Sequence, residues 1–130
     1  MTHRFPIRVY YEDTDLGQVV FYANYLKFIE RGRSEWLRDA GVDQAVLLTQ
    51  GLGFVVRRVE ADYLRPARFD DRLEVVTRLE TAAGSRVVAL QTVERDGTPL
   101  FTARVTVVCV DLAAMRPHRL PAGVAAALGG

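Results

Sequence analysis

One long amphipathic helix, followed by four strand-like segments, is the pattern that most constrains how this chain can fold. Over residues 24–40 the apolar side chains recur at helical spacing and cover about half of the helix circumference. Such a wide arc is typical of a helix that is embraced by a sheet. Gly32 lies in the middle of the arc, where a glycine costs about 1 kcal/mol relative to alanine. We therefore expect the helix to approach the sheet closely at Gly32.

Beyond Gly53 the apolar period changes to two residues, which indicates β-strands. The connections between these strands are short, and Asp96-Gly97 is typical of a hairpin, so four antiparallel strands are predicted. Their predicted inward faces are Val55, Val59, Ala61 and Tyr63; Leu73, Val75 and Leu79; Val87, Ala89 and Val93; and Phe101, Ala103, Val105, Val107 and Cys109.

A short strand over residues 7–11 and a second short helix or turn over residues 43–49 complete the prediction. The tail from Met115 onward has no clear sheet pattern, and residues 122–128 suit either a short helix or a frayed end. One helix against an antiparallel sheet is an α+β arrangement. Because 130 residues lie within the usual size of one domain, we expect residues 1–130 to form a single domain.

Composition narrows the classes of function. The formal net charge of +1 gives no general reason to expect a nucleic-acid partner. The apolar runs are far shorter than the roughly 20 residues of a membrane span, so no integral membrane association is expected. The N-terminus lacks the apolar stretch of a signal peptide, so we expect a cytoplasmic protein. Cys109 is the only cysteine, which excludes an internal disulfide.

Most familiar catalytic patterns are missing from the sequence. His3 and His118 lie near the chain ends, and we expect both to be exposed surface residues, so neither a His–Asp dyad nor a zinc site is predicted. No G-x-S-x-G motif is present, and Ser34 falls on the polar side of the helix. Cys109 is predicted to be a small buried residue in a strand. Carboxylates are therefore the remaining candidates for chemistry.

An acidic turn, Glu12-Asp13-Thr14-Asp15-Leu16-Gly17, precedes the long helix. The start of a helix presents unpaired N–H groups and partial positive charge. A carboxylate beside such donors can attack or deprotonate while the donors stabilise an oxyanion. Aspartate is also favoured before helices for capping alone, and from the residues alone that structural interpretation is the simpler one. The spacing of a calcium-binding loop is absent.

Two blocks of sequence carry a family resemblance. The first is Asp13-Thr14-Asp15, followed by Val19-Val20-Phe21-Tyr22-Ala23-Asn24-Tyr25 and continuing to Arg38; the second runs from Phe54 to Leu73 and contains Asp62-Tyr63-Leu64-Arg65-Pro66. Together they resemble the hot-dog-fold acyl-CoA thioesterases of the 4-hydroxybenzoyl-CoA thioesterase and YbgC type. The resemblance implies a hot-dog fold, in which an antiparallel sheet wraps around one central helix.

The resemblance also implies roles for individual residues. Asp15 corresponds to the catalytic carboxylate, a backbone N–H near Tyr22 corresponds to the oxyanion donor, and Asp13 is expected to brace the turn. Relatives usually carry glycine in place of Gln18, and many carry histidine in place of Tyr22. The expected substrate-binding residues are Gly17, Val20, Phe21, Tyr25, Phe54, Ser85 and Arg86. Arg57, Arg58, Arg65 and Arg68 are further candidates for the phosphates of coenzyme A.

The expected function is hydrolysis of an acyl-CoA to the free acid and CoA. Asp15 either attacks the thioester carbonyl or activates a water, and the sequence does not distinguish these routes. Thiolate is a good leaving group, so no strong general acid is needed, and no metal or other cofactor is implied. An enoyl-CoA hydratase would need a histidine that the pattern does not supply, whereas a non-catalytic acyl-CoA or acyl-carrier-binding scaffold remains an alternative.

Assembly is expected to be a homodimer or a homotetramer, since hot-dog relatives place active sites between subunits. The residues also favour assembly, because a thin sheet leaves open edges. Its second face is expected to expose the apolar side chains of Val56, Leu64, Val88, Leu90, Val108 and Val110.

Overall fold

The structure is a computed structural model that describes residues 2–129. Its elements are β1 (Thr2–Arg8), a 3-10 turn (Tyr11–Asp13), α1 (Asn24–Asp39), α2 (Gln44–Thr49), β2 (Leu52–Tyr63), β3 (Arg72–Ala83), β4 (Arg86–Arg95), β5 (Thr98–Asp111), β6 (Arg116–Pro117) and α3 (Val124–Ala127). The strands form one antiparallel sheet in the order β1-β3-β4-β5-β2, and β6 pairs with the end of β5. The predicted α+β arrangement is confirmed.

The helix α1 lies across β1, β3 and β4, and its apolar arc forms the centre of the core. Phe28 and Ile29 are almost completely buried, and each such side chain contributes about 1.5–3 kcal/mol through burial. The close approach predicted at Gly32 is confirmed. A Cβ atom at Gly32 would lie 2.8 Å from Cβ of Val75 in β3 and closer still to a methyl group of Val75.

Replacing Gly32 with alanine is expected to lower the free energy of unfolding by a net of about 1 kcal/mol. Alanine gains about 1 kcal/mol of helix propensity, but the collision with Val75 forces a backbone shift that costs about 1–3 kcal/mol or more. Urea denaturation measures the change. Val75→Ala removes the nearest methyl group but keeps Cβ at 2.8 Å, so it relieves part of the collision, and the double variant should lose less stability than the two single variants together. Strictly additive losses would contradict the contact.

A buried polar cluster ties the helix to the sheet beneath it. The Gln91 amide of β4 donates to the Ile29 carbonyl at 2.8 Å and to Oγ1 of Thr77 at 3.0 Å. The Arg33 guanidinium donates to Oε1 of Gln91 at 3.0 Å, and burial lowers the pKa of Arg33. A buried amide is costly unless it is hydrogen-bonded, so this cluster favours one position of α1 on the sheet.

A β-bulge in β2 corrects one predicted face. Pairing with β5 shifts register between Val56 and Arg58, so Val56 lies opposite Val107 and shares the inner face with Val59. Val55 lies opposite Val108 on the other face. The prediction that Val55 shares a face with Val59 is therefore wrong, because an extra residue in one strand inverts the alternation beyond it.

The outer face of the sheet differs from the expected apolar surface. Val88, Val108 and Val110 are already buried within the protomer, so the prediction that they are exposed is wrong. Much of the remaining outer face is charged, and Arg104 contacts Glu60 and Glu80 there. Val56 and Leu64 are exposed as predicted, and they lie around β2, where the strand has no neighbour along its outer edge within residues 2–129.

The N-terminal strand begins earlier than predicted, at Thr2, and this changes the environment of His3. Pairing of His3 with Thr77 brings the imidazole beside the end of α1, where Nε2 lies 2.7 Å from Oδ2 of Asp39. The side chain of His3 is only 16% exposed, so the prediction of a surface histidine is wrong for His3. His118 is exposed as predicted.

The C-terminal tail is structured although its sequence shows no clear sheet pattern. The His118 N–H donates to the Cys109 carbonyl at 2.8 Å, and the Leu120 N–H donates to the Gly84 carbonyl at 2.8 Å. The short helix α3 then places Val124 and Leu128 in the main core. This helix agrees with the short helix suggested for residues 122–128, whereas the two-residue strand β6 is too short for periodicity to reveal it.

Candidate active site

The acidic turn folds into a small antiparallel loop that leads directly into α1. The Phe21 N–H donates to the Asp13 carbonyl at 2.9 Å, and the Asp15 N–H donates to the Val19 carbonyl at 3.1 Å. A turn from Asp15 to Gln18 closes the loop, with Gln18 at φ +64°. This left-handed conformation is one that glycine adopts without strain, which agrees with the glycine that the resemblance places there.

The two aspartates of the turn have different surroundings. Oδ2 of Asp13 accepts a hydrogen bond from the Tyr10 N–H at 2.8 Å, and Asp13 is half-buried. The Asp15 side chain is exposed at the tip of the loop, where Oδ1 accepts from the Gly17 N–H at 2.8 Å. A Cβ atom at Gly17 would lie 3.1 Å from that oxygen, so glycine allows the carboxylate this position. Within residues 2–129, Oδ2 of Asp15 has no hydrogen-bond partner.

The start of α1 is held by backbone and side-chain hydrogen bonds. Nδ2 of Asn24 donates to the Asp13 carbonyl at 2.9 Å, and the Asn24 N–H donates to the Phe21 carbonyl at 2.8 Å. The N–H groups of Tyr22 and Ala23 have no acceptor in the described part of the chain. Free donors at the start of a sixteen-residue helix provide the positive end of the helix dipole for an incoming oxygen.

A pocket of about 270 Å³ opens beside the start of the helix. Its lining consists of Val20, Tyr22, Tyr25, Tyr63, Leu64, Arg65 and Pro66. The ring of Tyr25 stacks on Phe101 with centroids 5.1 Å apart, and its hydroxyl accepts from the Ala67 N–H at 3.0 Å. Burial raises the pKa of Tyr25, so its phenol stays neutral. Tyr63 was not among the predicted site residues, although it belongs to the second family block.

The predicted site residues fall into two groups in the protomer. Gly17, Val20, Phe21, Tyr22 and Tyr25 lie with Asp15 in the loop and the first turn of the helix. The second group, Phe54, Ser85 and Arg86, lies at the opposite end of the sheet.

The separation of the two groups follows from the strand register. Phe54 precedes Tyr63 by nine residues in the same strand, which corresponds to about 30 Å at roughly 3.3 Å per residue. The further arginines proposed for the CoA phosphates are also separated. Arg65 lines the pocket, whereas Arg58 forms an ion pair with Glu60. A single protomer therefore does not bring Arg86 to Asp15.

Other surfaces offer less chemistry. A concavity of about 690 Å³ lies on the outer face of the sheet, away from the acidic loop, and its charged residues include the Glu60–Arg104 pair. Among residues 2–129 no group of three or more His, Cys, Asp or Glu side chains is placed to hold a metal ion. No helix in that range is both long enough and apolar enough to cross a membrane.

Comparisons with known proteins show the family of the chain. Residues 9–128 match the thioesterase-like superfamily. The acyl-CoA thioester hydrolase YbgC of Escherichia coli is 44% identical over 124 residues, which cover 95% of this chain and 92% of that protein. The acyl-CoA thioesterase YbgC of Haemophilus influenzae is 45% identical over 124 residues, which cover 95% and 91% of the two chains.

Solved structures agree with the fold. The crystal structure of a probable thioesterase from Bartonella henselae has a TM-score of 0.87 and 40% identity, covering 93% of this chain and all of that one. A 1,4-dihydroxy-2-naphthoyl-CoA thioesterase from Synechocystis, at 22% identity, superposes with a TM-score of 0.90 over 98% of this chain and 96% of that one. The curled antiparallel sheet around one long helix is the hot-dog fold of thioester hydrolases. The chain belongs to the thioesterase-like superfamily, and the predicted resemblance is confirmed.

Proposed function

We propose that this protein is an acyl-CoA thioesterase in which Asp15 performs the chemistry. The observation that carries the proposal is an exposed carboxylate in the loop that leads into α1, where the N–H groups of Tyr22 and Ala23 have no acceptor within residues 2–129. Asp13, whose carboxylate already holds the Tyr10 N–H, is the bracing residue. We also propose that residues 1–130 act as a single domain.

Two routes are open to the Asp15 carboxylate. As a nucleophile, an oxygen of Asp15 adds to the thioester carbonyl, CoA thiolate leaves, and water then cleaves the resulting mixed anhydride. As a general base, Asp15 accepts a proton from a water whose oxygen adds to the carbonyl, and the departing thiolate takes a proton from solvent. In both routes the carbonyl oxygen gains negative charge, and the Tyr22 N–H at the helix start stabilises it.

The complete site is proposed to need a second copy of the chain. The outer edge of the twelve-residue strand β2 has no partner within residues 2–129, and side chains along and just beyond it, including Val56, Tyr63 and Leu64, are about half exposed. A long open edge of this kind favours pairing with another strand. Two copies joined by antiparallel β2 strands around a two-fold axis place the start of one β2 beside the end of the other.

This pairing unites the two separated groups of site residues. The partner's Phe54 and the partner's Arg86 then approach the loop that carries Asp15, although in one protomer they lie at the far end of the sheet. The acyl group is proposed to lie near Phe21, Tyr25 and the partner's Phe54. The CoA phosphates are proposed to meet the partner's Ser85 and the partner's Arg86, with Arg65 as a further cation.

Free thiol released from a panel of acyl-CoAs tests the function directly. We expect release from at least one class of aliphatic or aromatic acyl-CoA, at a rate far above spontaneous hydrolysis, without added metal. Isothermal titration with the same compounds should be run in parallel. Binding of acyl-CoA without thiol release by the wild-type protein would contradict the enzyme and favour a scaffold.

A further inference from the structure

The carbonyl of Tyr22 has an unusual partner at the start of α1. In a regular α-helix it would accept the N–H of the residue four positions later, but the Leu26 N–H donates to Ala23 instead, at 3.1 Å. The hydroxyl of Tyr63 takes that place and donates to the Tyr22 carbonyl at 2.9 Å. No other hydrogen bond to this carbonyl occurs within residues 2–129.

Tyr63 is well placed to hold this hydrogen bond. It is the last residue of β2, and its ring packs edge-on against Phe101, Tyr25 and Tyr22 with centroid distances of 4.9, 5.5 and 6.2 Å. These contacts restrict the direction of the hydroxyl. Partial burial raises the pKa of Tyr63, so the phenol remains a hydrogen-bond donor at neutral pH.

The hydrogen bond acts on the peptide group that joins Tyr22 to Ala23. In a trans peptide the carbonyl and the N–H point in opposite directions, so a donor that holds the Tyr22 carbonyl also sets the direction of the Ala23 N–H. That N–H has no acceptor in the described residues. A hydrogen bond to the carbonyl polarises the peptide and makes its N–H a stronger donor.

We propose that Tyr63 is a positioning residue for catalysis, which orients and polarises the Ala23 N–H as a second oxyanion donor beside the Tyr22 N–H. The proposal rests on the thioesterase function above. In this role a single hydroxyl connects the end of the edge strand β2 to the start of α1. Tyr63 and Tyr22 are 41 residues apart in the chain. Tyr63 itself touches neither the thioester nor the Asp15 carboxylate in this role.

Tyr63→Phe is the direct test, because it removes the hydroxyl and keeps the ring. Loss of an oxyanion donor costs about 10²–10³ in kcat, and a donor that is misaligned rather than lost should cost less, about ten-fold. KM for acyl-CoA and the melting temperature should stay near wild-type values. Tyr11→Phe is the matched control, since Tyr11 is exposed and its hydroxyl has no partner within residues 2–129.

An NMR measurement distinguishes a changed orientation of the Ala23 N–H from a nonspecific loss of activity. The amide proton and nitrogen shifts of Ala23 should change in Tyr63→Phe and remain unchanged in Tyr11→Phe. Wild-type kcat in Tyr63→Phe, or a loss of kcat without a change at the Ala23 amide, would overturn the proposal. If the wild-type protein releases no thiol, the thioesterase function fails, and an unchanged Ala23 amide in Tyr63→Phe would separately refute the hydrogen-bond relay.

Discussion

Asp15→Asn is expected to lower kcat by about 10²–10⁴ if Asp15 is a general base, and by at least as much if it is the nucleophile. The carboxylate must be ionised for either role, and an amide cannot replace it. Asparagine has nearly the same size and its side-chain oxygen can still accept the Gly17 N–H, so the loop should keep its shape. Binding of acyl-CoA should persist, because the helix donors and the cations are unchanged. Single-turnover thiol release and titration calorimetry measure the two effects.

Asp13→Asn is the matched control, because Asp13 lies two residues away and its carboxylate holds the Tyr10 N–H. A charged acceptor makes a stronger hydrogen bond than an amide oxygen, so this change should reduce stability by about 1 kcal/mol and leave most of the activity. Activity that survives in Asp15→Asn but disappears in Asp13→Asn would show that Asp13, and not Asp15, performs the chemistry. Activity that survives in both variants would contradict the mechanism.

Mixed dimers of two defective variants are expected to recover activity. Arg86→Ala alone should raise KM for acyl-CoA about ten-fold or more, since a charge-assisted contact is worth about 1.5–3 kcal/mol, and should hardly affect short pantetheine thioesters. In a heterodimer of Asp15→Asn with Arg86→Ala, one site carries both changes and the other carries neither. The isolated heterodimer should therefore show about half of the wild-type activity at low acyl-CoA concentration.

The comparison with the two homodimers makes this result decisive. Differently tagged variants, co-expressed and purified through both tags, provide the heterodimer without residual homodimers. Activity no higher than the mean of the two homodimers would show that no active site combines Asp15 of one copy with Arg86 of the other. Sedimentation that shows a fully active monomer at micromolar concentration would exclude the shared site altogether.

The elements themselves were predictable because each depends on local spacing. The period of α1, the close approach at Gly32 and the alternation along β3, β4 and β5 are properties of neighbouring residues, and the structure agrees with them. The candidate carboxylate could also be located, although from a family resemblance rather than from spacing, because an acidic turn before a helix equally suits capping.

Long-range pairing decided what spacing could not reveal. The bulge between Val56 and Arg58 depends on how β2 pairs with β5, and it inverts the face of every residue before it. His3 became partly buried because β1 begins at Thr2 and continues alongside β3. The distance between Arg86 and Asp15 likewise follows from strand register, which no periodicity within one segment records.

The sequence by itself therefore determined the long helix, the main strands and the acidic loop, since hydrophobic periodicity and turn preferences depend only on neighbouring residues. Only the tertiary structure decided which polar groups remain free to act. A backbone N–H is free only when no acceptor reaches it, and within residues 2–129 this condition leaves the Tyr22 and Ala23 donors open at the helix start. The Tyr63 hydroxyl reaches the Tyr22 carbonyl because folding, and not sequence proximity, brings the end of β2 to the start of α1.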